Sequence, residues 1–172
     1  MQTQALTQSK ANIDLINIEE HQYLAFLLNK ERYAIEVLQV KEIIKYGNIT
    51  DIPFSQKYII GVTNIRGNII PIISLAKRFE LKQGRISKKT CILVVTIKDE
   101  EEKIEIGVVV DMVNQVFDIL PSDMEELPSL GTSIQKKFIK KIGKVQNSFI
   151  PILDMEVVLD ITELSLLRED KR

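Results

Sequence analysis

Residues 58 to 75 and 138 to 155 repeat one pattern at a spacing of 80 residues, from Tyr58 to Phe138. At that spacing Ile59 falls on Ile139, Val62 on Ile142, Ile70 on Ile150, Pro71 on Pro151 and Ile72 on Ile152. The match ends with Ser74 over Asp154, two residues whose side-chain oxygens make good helix N-caps. Each copy reads strand, turn, proline-containing strand, capped helix, so the chain is constrained to two similar β units. Strand pairs rich in Ile and Val can look alike by composition, but a matched proline and a matched cap favour duplication. Arg66-Gly67 has no echo, because Gln146-Asn147 stands in its place. Whatever Arg66 does is therefore not demanded by the repeated scaffold.

The rest of the chain reads as β with short helical pieces. Tyr23 to Leu28 and Tyr33 to Ile35 flank Asn29-Lys30-Glu31-Arg32 and predict a hairpin. Glu36 to Ile44 fits either a helical stripe or an alternating strand, and is read as a turn followed by a strand. Ile59 to Ile65 and Ile69 to Ile73 flank Arg66-Gly67-Asn68, the strongest hairpin signal in the chain, with Gly67 suited to positive φ. Pro71 cannot donate a ladder hydrogen bond, which predicts an edge strand or a bulge there. Ser74 caps a short helix that includes Leu75 and Phe79.

Cys91 to Ile97, Ile104 to Val110 and Val113 to Ile119 are further β runs, the first two joined by an acidic tip at Asp99 to Glu102. Pro121 to Lys137 reads as loop with one helical turn. Leu159, Leu164, Leu166 and Leu167 predict a C-terminal helix. The expected organisation is a tail over 1–20 and one domain over 21–165. That domain comprises a first β unit over 21–84, a second over 85–153, and a helix over 154–169.

Among 172 residues, 23 basic and 24 acidic side chains leave a formal charge of −1, which offers no global attraction to nucleic acid or to an anionic membrane. The absence of Trp removes one stacking platform for bases. No apolar run approaches the roughly 20 residues that span a bilayer, so no direct membrane insertion is expected. The polar, Gln-rich start lacks a secretory pattern, and the lone Cys91 suits a reduced compartment. Both predict a cytoplasmic protein.

No phosphate-cradling glycine loop, Cys-x-x-Cys pair or nucleophile elbow occurs. His21 has no partner cluster for catalysis or metal binding, Cys91 sits in an apolar run suited to a structural thiol, and the acid pairs lie in loops. No enzyme activity, cofactor or metal is expected.

Gly61-Val62-Thr63-Asn64-Ile65-Arg66-Gly67-Asn68-Ile69-Ile70-Pro71-Ile72-Ile73-Ser74-Leu75 closely resembles a signature stretch of the CheW chemotaxis adaptors. Tyr33-Ala34-Ile35, Val40-Lys41-Glu42-Ile43, Gly107 to Asp111 and Phe149 to Asp154 follow in the family's order, so the resemblance covers about residues 20 to 165. It implies a mainly β fold: two five-stranded SH3-like barrels packed together, with a groove that receives the hairpin tip of a chemoreceptor. It implies a second partner, the regulatory domain of the histidine kinase CheA, and a place at receptor arrays beneath the inner membrane.

Carried over by position, Arg66 and Glu42 would contact the receptor, with Val40 and Asn64 nearby, while Gly61 and Gly67 would hold the turn tight. Tyr33 and Ile44 would serve the kinase interface if they reach solvent. The sequence departs from the family at Ser74, where an acid or amide is common, and at Ile60, where relatives can carry Lys. An adaptor for another receptor-driven kinase pathway, such as surface motility, would present the same groove. A β-barrel enzyme is disfavoured by the lack of a converging catalytic set, and a nucleic-acid-binding barrel by the neutral charge.

Overall fold

The computed structural model describes residues 21–160, except 55, 83, 129 and 130. Among the described residues eleven strands follow one another: β1 (Gln22–Leu28), β2 (Glu31–Glu36), β3 (Val40–Lys45), β4 (Ile59–Ile65), β5 (Asn68–Ser74), β6 (Cys91–Asp99), β7 (Glu102–Val110), β8 (Met112–Asp118), β9 (Met124–Glu125), β10 (Ile139–Val145) and β11 (Ser148–Leu153). Among the described residues, short α-helices α1 (Leu75–Arg78) and α2 (Met155–Val158) follow β5 and β11. The chain is mainly β and forms two SH3-like units. One sheet has six strands in the order β8-β1-β2-β11-β10-β9, and the other five in the order β3-β6-β7-β5-β4. The sixth strand, beyond the five expected, is the two-residue β9.

The sheets match strand for strand. Ile72 pairs with Gly107 in the parallel ladder of β5 with β7, and Ile152, 80 residues later, pairs with Ala34 in that of β11 with β2. Val62 faces Pro71 as Ile142 faces Pro151, and a bulge falls between Ile59 and Gly61 as between Ile139 and Lys141. The bridge from Thr50 to Val62 stands where Glu125 of β9 meets Ile142.

Neither sheet is built from one half of the chain alone. Hairpin β1-β2 from the first half joins β8 to β11 of the second, and hairpin β6-β7 from the second half joins β3 to β5 of the first. Sequence alternation identifies a hairpin and its buried faces, but not which sheet edge it will extend. Pro71 likewise lies inside its sheet, not at an edge. The ladder of β5 with β7 begins at Ile72, one residue further on, so the missing N–H lies just outside that pairing.

Strand alternation fills three cores. Leu24, Phe26 and Leu28 of β1 face a large cluster between the sheets, joined by Tyr33, Ile35, Leu93, Val95, Ile106, Val108, Phe138 and Leu153. Tyr23 and Ala25 point the other way, into a cluster with Phe117, Ile150 and Ile152, while Ile70, Ile72, Ile92 and Val94 fill the second sheet's own interior. Full burial of each large side chain contributes about 1.5–3 kcal/mol, so the shared central cluster makes the two sheets one cooperative body.

Both N-caps form. Ser74 Oγ accepts from the Lys77 N–H at 3.3 Å, and Asp154 Oδ1 from the Val157 N–H at 3.4 Å. Each helix start is also tied back in the same way, by Ser74 N–H to Tyr58 O and Asp154 N–H to Phe138 O, both 2.8 Å. Of the expected C-terminal helix, Met155–Val158 is helical and Leu159 caps it; Leu164, Leu166 and Leu167 lie outside the described residues, as does the 1–20 tail.

Candidate binding site at the β4–β5 turn

Ile65 pairs with Asn68, leaving Arg66 and Gly67 as a two-residue turn with φ of 53° and 85°. Positive φ at both positions is the reversal whose twist suits a hairpin. The Asn64 side chain reinforces it, its Oδ1 accepting from the Gly67 N–H at 3.0 Å. Gln146 and Asn147 repeat the geometry in the other sheet, with φ of 49° and 64°. The scaffold thus requires the backbone shape and leaves the side chain at position 66 free.

β3 and β4 are opposite ends of their sheet, yet Arg66 Nη2 lies 3.2 Å from Glu42 Oε2. The sheet therefore curls until its ends meet. The Thr50–Val62 bridge helps it do so, with N–H to O bonds of 2.8 and 3.0 Å. The Arg66 side chain is 75% exposed and that of Glu42 20%. An exposed guanidinium anchored at one edge by a half-sheltered carboxylate keeps donors free for a partner's carbonyls or carboxylates.

The structure brings Arg66, Glu42 and Asn64 to one rim. Val40 behaves differently: a bulge separates it from Glu42, and its side chain packs against the central core. Gly61 sits against the main chain of Thr50, where an added Cβ would lie 2.3 Å from the carbonyl oxygen. Ile69, cross-strand from Asn64 and 72% exposed, places an apolar side chain beside this rim that was not among the expected site residues. Its signal was alternation within the Ile69 to Ile73 run, which turns Ile70 and Ile72 inward and Ile69 outward.

Tyr33 does not reach solvent. It is 2% exposed, its ring lies 6.2 Å from both Phe26 and Phe79, and its hydroxyl donates to Glu31 Oε2 at 3.0 Å. Burial raises its pKa above the usual phenol value; the Ser133 hydrogen bond works against that and the Glu31 carboxylate with it. Ile44 is partly buried against the second sheet's interior, and its neighbour Ile43 points out instead. The condition set for a kinase surface, that Tyr33 and Ile44 reach solvent, is not met by Tyr33, whose strand is buried on both faces, and is met only in part by Ile44.

No group of three or more His, Cys, Asp or Glu that could hold a metal ion occurs among the described residues, and no described helix is long and apolar enough to cross a membrane. Cys91 is partly buried, its Sγ 3.1 Å from the Lys89 carbonyl.

Paired SH3-like units with a charged turn on one rim define a binding scaffold. The CheW-like domain model matches residues 22–163, and the chain belongs to the CheW family of chemotaxis scaffold and adaptor proteins. It is 36% identical over 137 residues to a Chemotaxis protein CheW of Bacillus subtilis, covering 80% of this chain and 85% of that one. It is 30% identical over 152 residues to a Chemotaxis protein CheW of Treponema pallidum, covering 88% and 89%. The crystal structure of the scaffolding protein TtCheW from Thermoanaerobacter tengcongensis superposes with a TM-score of 0.71 at 32% identity, over 81% of this chain and 87% of that one.

Proposed function

We propose that this protein couples chemoreceptors to a CheA-type histidine kinase by binding both at once, without chemistry of its own, at receptor arrays in the cytoplasm. The observation that carries the receptor half is the Arg66–Glu42 pair, which joins the two ends of one sheet and leaves the guanidinium open to solvent. A receptor's hairpin tip presents backbone carbonyls and carboxylates at a bend, which a planar arginine fork can bond while Ile69 covers adjacent apolar surface. Asn64 keeps the turn in shape and Val40 fixes β3 from the core side.

Coupling then works through proximity. Modest contacts suffice, because a clustered array raises the effective concentration of each partner. The kinase regulatory domain engages a surface away from Tyr33.

The test is pulldown of a receptor cytoplasmic fragment and of the kinase by wild-type protein and by Arg66→Ala, with circular dichroism confirming the fold. Loss of receptor with retention of kinase supports the reading. Wild-type protein that binds neither partner overturns it, and a folded variant that binds both normally moves the receptor site elsewhere.

A further inference from the structure

The β6-β7 hairpin, the 3-10 turn at Val37–Gln39 and α2 enclose a groove of about 640 Å3, lined among others by Leu38, Lys98, Lys103, Glu105 and Glu156. Leu38 stands 61% exposed in it. Lys98 and Lys103 sit directly opposite each other across the ladder, both exposed. Like charges so placed repel, and neither has a carboxylate partner among the described residues. Lys41, also in the groove, is paired with Glu105. Glu156 is exposed and has no basic partner among the described residues. The groove thus presents an apolar side chain, two cations and an anion that the described fold does not engage.

The chain leaves the described fold beside this groove. Glu156 belongs to α2, and the described residues end four positions later at Asp160. Residues 161–172 follow, enough for about 18 Å of helix. At helical spacing Leu164 and Leu167 share one face. Glu163 and Asp170, seven apart, flank that face on one side, and Arg168 and Arg172, four apart, flank it on the other. Each kind of side chain in the segment complements one in the groove: leucine for Leu38, acid for the lysine pair, arginine for Glu156.

We infer that residues 161–172 dock back into this groove of their own chain, with Leu164 and Leu167 on Leu38 and with Glu163 and Asp170 at Lys98 and Lys103. α2 follows the last strand of the six-stranded sheet, whereas β6 and β7 belong to the five-stranded sheet. The docked segment is therefore a strap that ties the two sheets together outside their shared core. Exposed ion pairs are individually weak, but the short tether from Glu156 holds the segment at high effective concentration beside its groove. The strap also shields Leu38, so a partner protein that used this groove would have to displace it. The contact is independent of Arg66 and of the receptor and kinase partners.

The test attaches a nitroxide spin label at Ser165, off the leucine face, in the full chain carrying C91A/S165C, and reads the backbone amide signals by NMR. Broadening at Leu38, Lys98 and Lys103 that does not depend on protein concentration is expected. L164S/L167S and K98E/K103E, each confirmed as folded by circular dichroism, should lose that broadening. Adding E163K/D170K to K98E/K103E exchanges the charges and should restore it. Absence of broadening at these residues in the labelled parent, broadening unchanged in either variant, or a charge exchange that fails to restore it would each overturn the inference. So would broadening carried only between molecules, read by mixing spin-labelled chain with isotope-labelled chain that lacks the nitroxide.

Discussion

Arg66 Nη2 and Glu42 Oε2 meet at 3.2 Å although they belong to opposite ends of a five-stranded sheet. The contact is made where the curled sheet closes, so the geometry of the candidate receptor site and the closure of the barrel are one feature. With Arg66 mostly in solvent, the pair itself adds little to stability, of the order of 0–1 kcal/mol for such exposed pairs.

Arg66→Ala should therefore shift the denaturant midpoint hardly at all while weakening receptor-fragment binding about tenfold or more, as loss of an arginine anchor does. Arg66→Lys keeps the charge but not the fork and should recover only part of the binding. Titration calorimetry against the receptor fragment, beside urea unfolding, separates the two effects. A loss of stability matching the loss of binding would make Arg66 a structural residue.

Gly61→Ala places a methyl group 2.3 Å from Thr50 O and 2.8 Å from Ile49 Cγ2. The first neighbour is main chain and cannot rotate away, so the Thr50–Val62 bridge must open. A destabilisation of about 1–3 kcal/mol is expected, read as a lower melting temperature. Faster hydrogen exchange at the Thr50 and Val62 amides should accompany it.

Ser74→Ala and Asp154→Ala each remove the cap of a four-residue helix and should cost about 1 kcal/mol. The helices communicate through Arg78, so the double variant should depart from additivity. Urea unfolding of both singles and the double measures this.

Arg78 on α1 packs over two rings, 4.8 Å from the Tyr58 centroid and 5.0 Å from that of Phe138, and donates from Nε to Val158 O at 2.7 Å. It ties the first repeat's helix to the second's. Arg78→Ala leaves a carbonyl without its donor and removes both ring contacts, costing about 2–4 kcal/mol. Arg78→Met, which keeps the packing, should recover part of that in thermal unfolding.

Alkaline pH should destabilise the fold through its tyrosines. Burial raises the Tyr33 pKa, and burial followed by the Glu36 carboxylate raises that of Tyr23. A raised folded value means that the neutral phenol is favoured by the fold. This stabilisation is complete below the unfolded value of about 10 and is lost as pH climbs through the folded values. Lys140, raised by its hydrogen bond to Glu36, follows the same sign: its contribution is present below the unfolded value and lost above it. Tyrosinate absorbance should rise later in the native protein than in urea, and an identical rise in both states would contradict this.

Much of this architecture was legible in the chain itself. The 80-residue echo corresponds to equivalent ladders, bulges and caps, because proline, a capping oxygen and alternating Ile and Val impose local geometry wherever they occur in that order. The hairpin was legible for the same reason, since Gly67 suits positive φ, although the other turn position is Arg66 and Asn68 already pairs in β5. The ambiguous Glu36 to Ile44 stretch became a 3-10 turn at Val37–Gln39 followed by a strand, the reading that local pattern favoured.

What tertiary structure alone decided is how the pieces combine. Sheet membership depends on which edge a hairpin finds, and edges belong to the assembled sheet, so the exchange of hairpins between halves left no mark in the local pattern. Burial of Tyr33 depends on both faces of β2 meeting other layers. The approach of Arg66 to Glu42 depends on sheet closure, a property of curvature summed over five strands, and no spacing of 24 residues, from 42 to 66, could encode it.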